Sequence, residues 1–133
     1  MLHTGVSSLE GDEAPYPERY RVSEPSAHAV NSAHERGGRV IAAGTTVVRA
    51  LATVTDERGR VHPGDGWTER VVTPDHPVDS VDGLLTGWHE PESSHLLMLE
   101  SFAGRDALEL AYATALEREY RWHEFGDSHL ILR

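Results

Sequence analysis

The stretch RGGRVIAAGTTVVRAL, residues 36–51, places a short apolar run before Gly-Thr-Thr and a second apolar run after it. The first run, RVIAAG, predicts a β-strand that is buried on both faces. After it, Val47, Leu51 and Val54 recur at helical spacing, with Val48 beside them. The stretch therefore predicts a strand that leads through a glycine turn directly into a helix.

The rest of the chain alternates between helical and extended patterns. A helix is predicted from the capping Ser23 to the stop at Gly37, and another from residues 91–93 to Gly104. The clearest helix is predicted within 105–122, with an inner stripe of Ala107, Leu110, Ala111, Ala115 and Leu116. Strands are predicted at 18–23, 67–74, 79–88 and in the C-terminal FGDSHLILR, with a loop over 57–66. This order predicts one mixed α/β domain over residues 1–133, a layered sheet with flanking helices.

The 133 residues carry 12 basic and 22 acidic side chains, a net charge of −10. Such a surface repels phosphate backbones on average, which disfavours a nucleic-acid partner unless basic residues cluster locally. The chain has no cysteine, which excludes disulfides, thiolate zinc ligands and a cysteine nucleophile. No signal peptide and no apolar run of membrane length is present, so we expect a cytoplasmic protein without a membrane partner.

The Gly44-Thr45-Thr46 junction is the first candidate site. A strand that runs into a helix leaves free backbone N–H groups at its carboxyl end, and the helix dipole favours an anion there. Gly44 permits close approach, the threonine hydroxyls can donate, and Arg49 follows one turn later on the same side. The alternative is that Thr45 only caps the helix while Arg49 is solvated. The junction contains neither a Walker loop nor a dinucleotide-binding fingerprint.

Three further residues are candidates for acid–base chemistry. His89 lies at a strand-to-helix turn, where catalytic side chains are often presented; the alternative is a surface loop histidine. Asp127 and Glu18 lie at a turn and at a strand start, and their alternatives are a plain turn residue and an exposed strand residue. No two of the nine histidines have the spacing of a zinc site, so no metal is expected. The nucleophile elbow GxSxG is absent, which excludes a hydrolase of that type.

Four segments together resemble one protein family: RGGRVIAAGTTVVRAL, VDGLLTGWHEPESSHLLMLESFAG, YATALEREYRW and FGDSHLIL. In this order they resemble the C-terminal part of the S-adenosylmethionine:tRNA ribosyltransferase-isomerases of queuosine biosynthesis. The resemblance implies a much longer protein, in which a large mixed α/β domain carries an inserted small β-barrel. This chain is then the C-terminal portion of the large domain, and the missing N-terminal half is its expected partner.

The resemblance also implies a reaction. Family members transfer the ribosyl portion of S-adenosylmethionine to a 7-aminomethyl-7-deazaguanine base in tRNA, isomerise it to an epoxycyclopentanediol, and release adenine and methionine. It therefore implies S-adenosylmethionine as substrate, tRNA as partner and a transferase and isomerase activity that the fragment alone lacks. The residues expected to hold a phosphate, a ribose or the methionine carboxylate are Gly44, Thr45, Thr46 and Arg49. The candidates for proton transfer or ribose contact are His89, Asp127 and Glu18.

Departures from the family's runs leave two other hypotheses open. The Asn and Phe that precede the family's histidine are Gly87 and Trp88 here. Such changes at expected pocket positions, together with the net acidic charge, favour a divergent relative that binds a nucleotide-like small molecule and does not modify tRNA. The third hypothesis is a non-catalytic scaffold or oligomerisation module. The tRNA-modifying enzyme would be favoured by a basic groove beside Gly44, formed by Arg36, Arg39 and Arg49.

Overall fold

Four helices and five strands in two small sheets make up the computed structural model, which describes residues 15–89, 95–122 and 126–133. In chain order they are β1 (Glu18–Val22), α1 (Glu24–Glu35), β2 (Ile41–Ala43), α2 (Thr45–Val54), β3 (Gly64–Thr68), β4 (Gly83–Gly87), α3 (His95–Ala103), α4 (Arg105–Glu117) and β5 (Ser128–Leu132). The mixed α/β class predicted from the sequence is confirmed. None of the helices in these ranges is both long and apolar enough to cross a membrane.

Two sheets of different topology organise these elements. β1 and β3 form an antiparallel pair in which Glu18 faces Thr68 and Val22 faces Gly64. The other sheet has the strand order β2–β4–β5, with β2 parallel and β5 antiparallel to the central β4. The carboxyl ends of β2 and β4 and the amino end of β5 therefore lie at the same edge of this sheet.

The observed β3 differs from the prediction, which placed a strand over 67–74 and a loop over 57–66. The strand instead begins inside the predicted loop, at Gly64, and ends at Thr68. The Tyr20 side chain lies beside Gly64 and Gly66 at ordinary contact distance, whereas an added Cβ at Gly64 would lie 2.7 Å from the Val54 Cγ1 atom. We infer that Gly64 makes room for Val54 of α2, which is a packing role rather than a turn role.

The core lies between the inner face of the β2–β4–β5 sheet and the helices α2 and α3. The residues that this sheet contributes are Ala42, Leu84 and Ile131, and all three are buried. Tyr20 and Val22 of β1 extend the same core. The prediction that β2 is buried on both faces is wrong, because Ile41 is 43% exposed. Alternate strand residues point to opposite faces, and α2 and α3 cover only the inner one.

The helix ends follow the sequence signals more closely than the helix faces do. The Ser23 hydroxyl accepts the N–H of Ser26 at 3.3 Å, and Gly37 adopts a left-handed backbone, so both predicted limits of α1 are confirmed. Gly104 ends α3 as predicted, while the predicted start at 91–93 lies outside the described residues. The predicted inner stripe of α4 is confirmed at Ala115 but wrong at Leu110 and Leu116, which are 69% and 61% exposed. That helix packs against α3 and also buries Leu108, which the prediction left out.

Candidate functional site

The candidate site is the edge of the β2–β4–β5 sheet at which three chain segments meet. Gly44 leaves β2 and donates its N–H to the carbonyl of Leu85 in β4 at 2.8 Å. Trp88 and His89 follow directly after β4, whose last residue pairs with Ser128 at the start of β5. The topology thus brings the Gly-Thr-Thr junction, His89 and Asp127 to one edge. In open α/β sheets, ligands bind outside the carboxyl ends of parallel strands.

The N-terminus of α2 is open at this edge. Its N-cap residue is Gly44, at φ +94°, and no side chain makes a capping hydrogen bond there. The alternative in which Thr45 caps the helix is therefore wrong, since Thr45 is already the first helical residue. An added Cβ at Gly44 would meet no atom of the described residues within 4 Å, so the backbone here borders space that those residues leave open. The first amides of α2, with the positive end of the helix dipole, are arranged as in anion sites.

His89 is held firmly beside this junction. Its side chain is buried, with the residue 7% exposed, so the alternative of a surface loop histidine is wrong. Its Nε2 lies 2.8 Å from the Thr86 hydroxyl, and its ring stacks on that of His95 with centroids 4.7 Å apart. The Tyr112 hydroxyl donates to the His89 carbonyl at 3.0 Å, and burial raises the pKa of Tyr112 to about 12. Tyr112 therefore remains a protonated donor that fixes the His89 backbone throughout the physiological range.

An aromatic cluster, which sequence reasoning missed, adjoins His89. The indole of Trp88 stacks on the imidazole of His129 with centroids 4.1 Å apart and an interplanar angle of 6°. Tyr112 and Tyr120 pack against the same indole, at 5.1 and 5.7 Å. No local pattern marks this cluster in the sequence, because only the antiparallel pairing of β4 with β5 brings the Gly-Trp-His and Asp-Ser-His runs side by side.

Two polar atoms in this cluster are buried without a hydrogen-bond partner: Trp88 Nε1 and His129 Nδ1. Burial lowers the pKa of His129, so the neutral imidazole is favoured. Buried polar atoms are normally hydrogen-bonded, and each exception calls for an explanation. The stacked pair therefore contains an indole N–H that can donate a hydrogen bond and an imidazole nitrogen that can donate or accept one, according to the tautomer of His129.

Asp127 lies at the same edge, immediately before β5. Its Oδ2 accepts the backbone N–H of Arg121, which ties the turn before β5 to the segment after α4. Asp127 is only partly buried, so its carboxylate can accept this hydrogen bond and still face the sheet edge that forms the candidate site. Whether it contacts a ligand remains a prediction.

Glu18 and Arg49 form a buried ion pair, with Oε1 and Nη1 3.1 Å apart and Arg49 only 1% exposed. The guanidinium also donates four hydrogen bonds to backbone carbonyls. These acceptors are Pro15, Tyr16, Thr68 and Arg70, at 2.9–3.4 Å. Since the group is buried, paired with a carboxylate and bonded to four carbonyls, Arg49 is not solvated as the alternative held. A direct ligand contact by this residue requires an exchange of one acceptor and remains a prediction.

The two carboxylate oxygens of Glu18 have different surroundings. Its Oε2 is buried and has no hydrogen-bond partner, while Oε1 faces Arg49. The alternative of an exposed strand residue is therefore wrong for Glu18, which is 8% exposed. Its role in proton transfer or ribose contact remains a prediction.

The basic groove that would favour tRNA modification does not form in the described part of the chain. Arg49 is buried, and Arg36 and Arg39 precede β2, at the opposite end of that strand from Gly44. Among the described residues, no group of three or more His, Asp or Glu side chains is placed to hold a metal ion. The site as described therefore offers backbone amides, one positioned imidazole, carboxylates and an aromatic cluster.

A mixed α/β unit with an open helix N-terminus and a buried histidine at one sheet edge defines the class: an α/β domain with a candidate ligand site at the ends of its strands. Comparison with known proteins gives the family. The chain belongs to the queuosine biosynthesis protein family, whose profile matches residues 1–131, and the resemblance predicted from the motifs is confirmed.

Its relatives are S-adenosylmethionine:tRNA ribosyltransferase-isomerases. The protein of that name from Caldanaerobacter subterraneus subsp. tengcongensis is 44% identical over 98% of this chain, and that from Natranaerobius thermophilus is 41% identical over 98%. The crystal structure of S-adenosylmethionine tRNA ribosyltransferase from Thermotoga maritima matches 86% of the chain with a TM-score of 0.75 and 34% identity. The chain spans about 40% of the length of each of these three proteins.

Proposed function

We propose that this chain is one part of an S-adenosylmethionine:tRNA ribosyltransferase-isomerase and contributes one wall of its active site. In that reaction the ribosyl group of S-adenosylmethionine passes to a 7-deazaguanine base in tRNA, and adenine and methionine leave. The observation that carries the proposal is the meeting of the open α2 N-terminus and the buried His89 at one sheet edge, in a chain of this family. The rest of a full-length protein supplies the opposite wall, so the chain alone is inactive.

The α2 N-terminus is proposed to hold the anionic group of the substrate. S-adenosylmethionine carries a carboxylate on its methionine portion, and tRNA carries phosphates. Either anion would accept hydrogen bonds from the backbone N–H groups of Thr45 and Thr46, and the helix dipole would stabilise its charge. Gly44 supports this role because it offers no Cβ between the backbone and the ligand.

His89 is proposed to transfer a proton or to contact the ribose. A catalytic imidazole must be held in one orientation, and two groups outside the ring hold this one: the Thr86 hydroxyl and, through the backbone, Tyr112. Asp127 is proposed to transfer a proton or to contact the ribose from the turn that precedes β5. Glu18 is proposed to offer its unpartnered Oε2 as an acceptor, while Arg49 holds the other oxygen in place.

The proposal is tested in a full-length context. A chimera in which this chain replaces the matched segment of the Caldanaerobacter relative supplies the remaining length of the fold. Adenine release from S-adenosylmethionine is then measured with tRNA that carries the 7-aminomethyl-7-deazaguanine base. We expect activity from the chimera and a loss of about 100-fold or more in His89→Gln, because the amide cannot exchange a proton. The matched control is His28→Gln on the exposed face of α1, which should leave the rate unchanged.

Two outcomes contradict the proposal. A folded chimera that binds S-adenosylmethionine in calorimetry but releases no adenine, while the intact relative is active, shows that this chain does not support the family's reaction. A His89→Gln rate equal to that of the His28→Gln control removes His89 from the chemistry.

A second candidate function is favoured by the aromatic cluster and the sequence departures next to it. Gly87 and Trp88 replace the family's Asn and Phe, and Trp88 stacks on His129 with two polar atoms left unpartnered. This pair suits a planar, nucleotide-like ligand with a hydrogen-bonding edge. Adenosine binding by the chimera without tRNA-dependent adenine release, lost in Trp88→Leu, would support this candidate over the first.

A further inference from the structure

The outer face of the β2–β4–β5 sheet is apolar at every described position of two neighbouring cross-strand rows. The first row is Ile41, Gly83 and Leu132, and the second is Ala43, Leu85 and Leu130. We call these six residues the outer sheet face. The four large side chains among them are 41–54% exposed.

The two rows form one continuous surface. An added Cβ at Gly83 would lie 2.8 Å from both the Ile41 Cδ1 and the Leu132 Cδ2 atoms, so these side chains close over the glycine from either side. In the second row, Leu85 lies between Ala43 and Leu130 on the neighbouring strands. Scattered exposed apolar residues are normal on a soluble protein, but a contiguous group of this kind marks an interaction surface.

Charge makes this face unusual for this molecule. The chain is 26% charged and has a net charge of −10, yet the outer sheet face has no charged or polar side chain. A strand face meant for water normally alternates with the buried face in polarity. The row between these two, which holds Ala42, Leu84 and Ile131, is apolar as well, so this part of the sheet is apolar on both faces. That is the pattern of a sheet covered on both sides, and the helices α2 and α3 cover only the inner one.

We propose that the outer sheet face is the docking surface for the remaining polypeptide of the full-length family fold, through an uncharged aliphatic element. Three full-length relatives, one of them crystallised, are covered over only 40% of their length, so each has additional chain available to pack there. The surface does not depend on which ligand the candidate site binds.

The docked element would also border the candidate site. Beyond the row of Ala43, Leu85 and Leu130, the same face continues to Gly87 and Ser128 at the site edge. The additional polypeptide would therefore reach the open α2 N-terminus from the side that the described chain leaves uncovered. This placement explains how two parts of one family fold can share a pocket.

The test compares the same substitutions in two contexts. Leu85→Thr with Leu130→Thr retains strand propensity but removes the aliphatic surface. Thermal unfolding is measured for this double variant in the isolated chain and in the Caldanaerobacter chimera. We expect a shift within about 2 °C in the isolated chain, where both leucines are already largely exposed, and a drop of about 5 °C or more in the chimera, where they are covered. The matched control is Leu110→Thr on α4, whose shift should be the same in both contexts.

Three results would overturn the assignment: equal shifts of the double variant in both contexts, a Leu110→Thr shift that grows as much in the chimera, and a dimer. A dimer would appear in sedimentation equilibrium of the isolated chain and be dissociated by the double variant, identifying a second copy as the occupant. Should the chimera not fold, threonines at the two aligned positions of the intact relative provide the same comparison, and an unchanged melting temperature there contradicts the proposal.

Discussion

Removal of the Arg49 guanidinium is the sharpest test of how this fold is held together. Arg49→Met retains the length and most of the volume of the side chain while it removes the charge and all five donors. The structure then leaves the Glu18 carboxylate buried beside no cation, and four backbone carbonyls lose a partner. Loss of one partner from a buried ion pair costs about 3–5 kcal/mol, because the remaining charge stays desolvated and uncompensated.

An exposed ion pair in the same chain provides the control. Arg105 and Glu100 lie 3.1 Å apart, as close as the buried pair, but Arg105 is 69% exposed. Solvent screens pairs of that kind, so Arg105→Met should leave the free energy of unfolding nearly unchanged. The two substitutions are chemically identical and differ only in burial and in the number of acceptors.

Urea unfolding at pH 7, followed by circular dichroism, measures both free energies of unfolding. We expect Arg49→Met to be destabilised by about 3–5 kcal/mol and Glu18→Gln in the same background to recover part of that loss, since it removes the unpaired charge. Arg49→Lys should fall between, because a lysine retains the charge but lacks the planar fork that reaches acceptors on several segments. If Arg49→Met costs no more than Arg105→Met, the pair is solvated in solution and the reasoning fails.

Three smaller perturbations test other parts of the structure. His129→Phe retains a ring against Trp88 but removes a group that titrates. Burial lowers the pKa of His129 in the folded protein below its ordinary 6.5, so the stability of the wild type should fall as the pH drops below 6.5. In urea titrations from pH 7.5 to 5, the variant should lose this part of the pH dependence. Ser23→Ala removes the cap of α1 and should cost about 1 kcal/mol in the same assay, and a change below about 0.3 kcal/mol would show that the cap is not formed. Gly83→Ala places a Cβ 2.8 Å from the Ile131 carbonyl and should cost about 1–3 kcal/mol in thermal unfolding, whereas a neutral result would mean that the strands separate easily there.

What could be predicted from the sequence was mainly local. The limits of α1 follow from a capping serine and a left-handed glycine within one segment, and both were predicted correctly. The Gly-Thr-Thr junction was located for the same reason, since a strand, a glycine and a helix follow one another directly. The family followed from motifs spread over nearly the whole chain, and the comparisons confirm it.

What could not be predicted depends on pairing between distant segments. The acceptors of Arg49 come from residues 15–16 and 68–70, which only the pairing of β1 with β3 brings together. The stacking of Trp88 on His129 likewise requires the pairing of β4 with β5. β3 was misplaced because its glycines were taken as turn residues, although they lie within the strand and Val54 packs against Gly64.

Helix α2 connects the buried ion pair to the candidate site, and this connection governs how any Arg49 variant must be interpreted. The first residues of the helix carry the amides proposed to bind an anion, and one turn later Arg49 fixes the helix to one end of the β1–β3 pair, where β1 begins and β3 ends. A loss of ligand affinity in Arg49→Ala would therefore follow from either a lost contact or a displaced helix. The lysine variant separates the two roles. If Arg49 only positions α2, affinity should recover in proportion to the recovered stability. If the charge contacts the ligand, affinity should recover more than stability does, because the ammonium retains the attraction after the fork is lost.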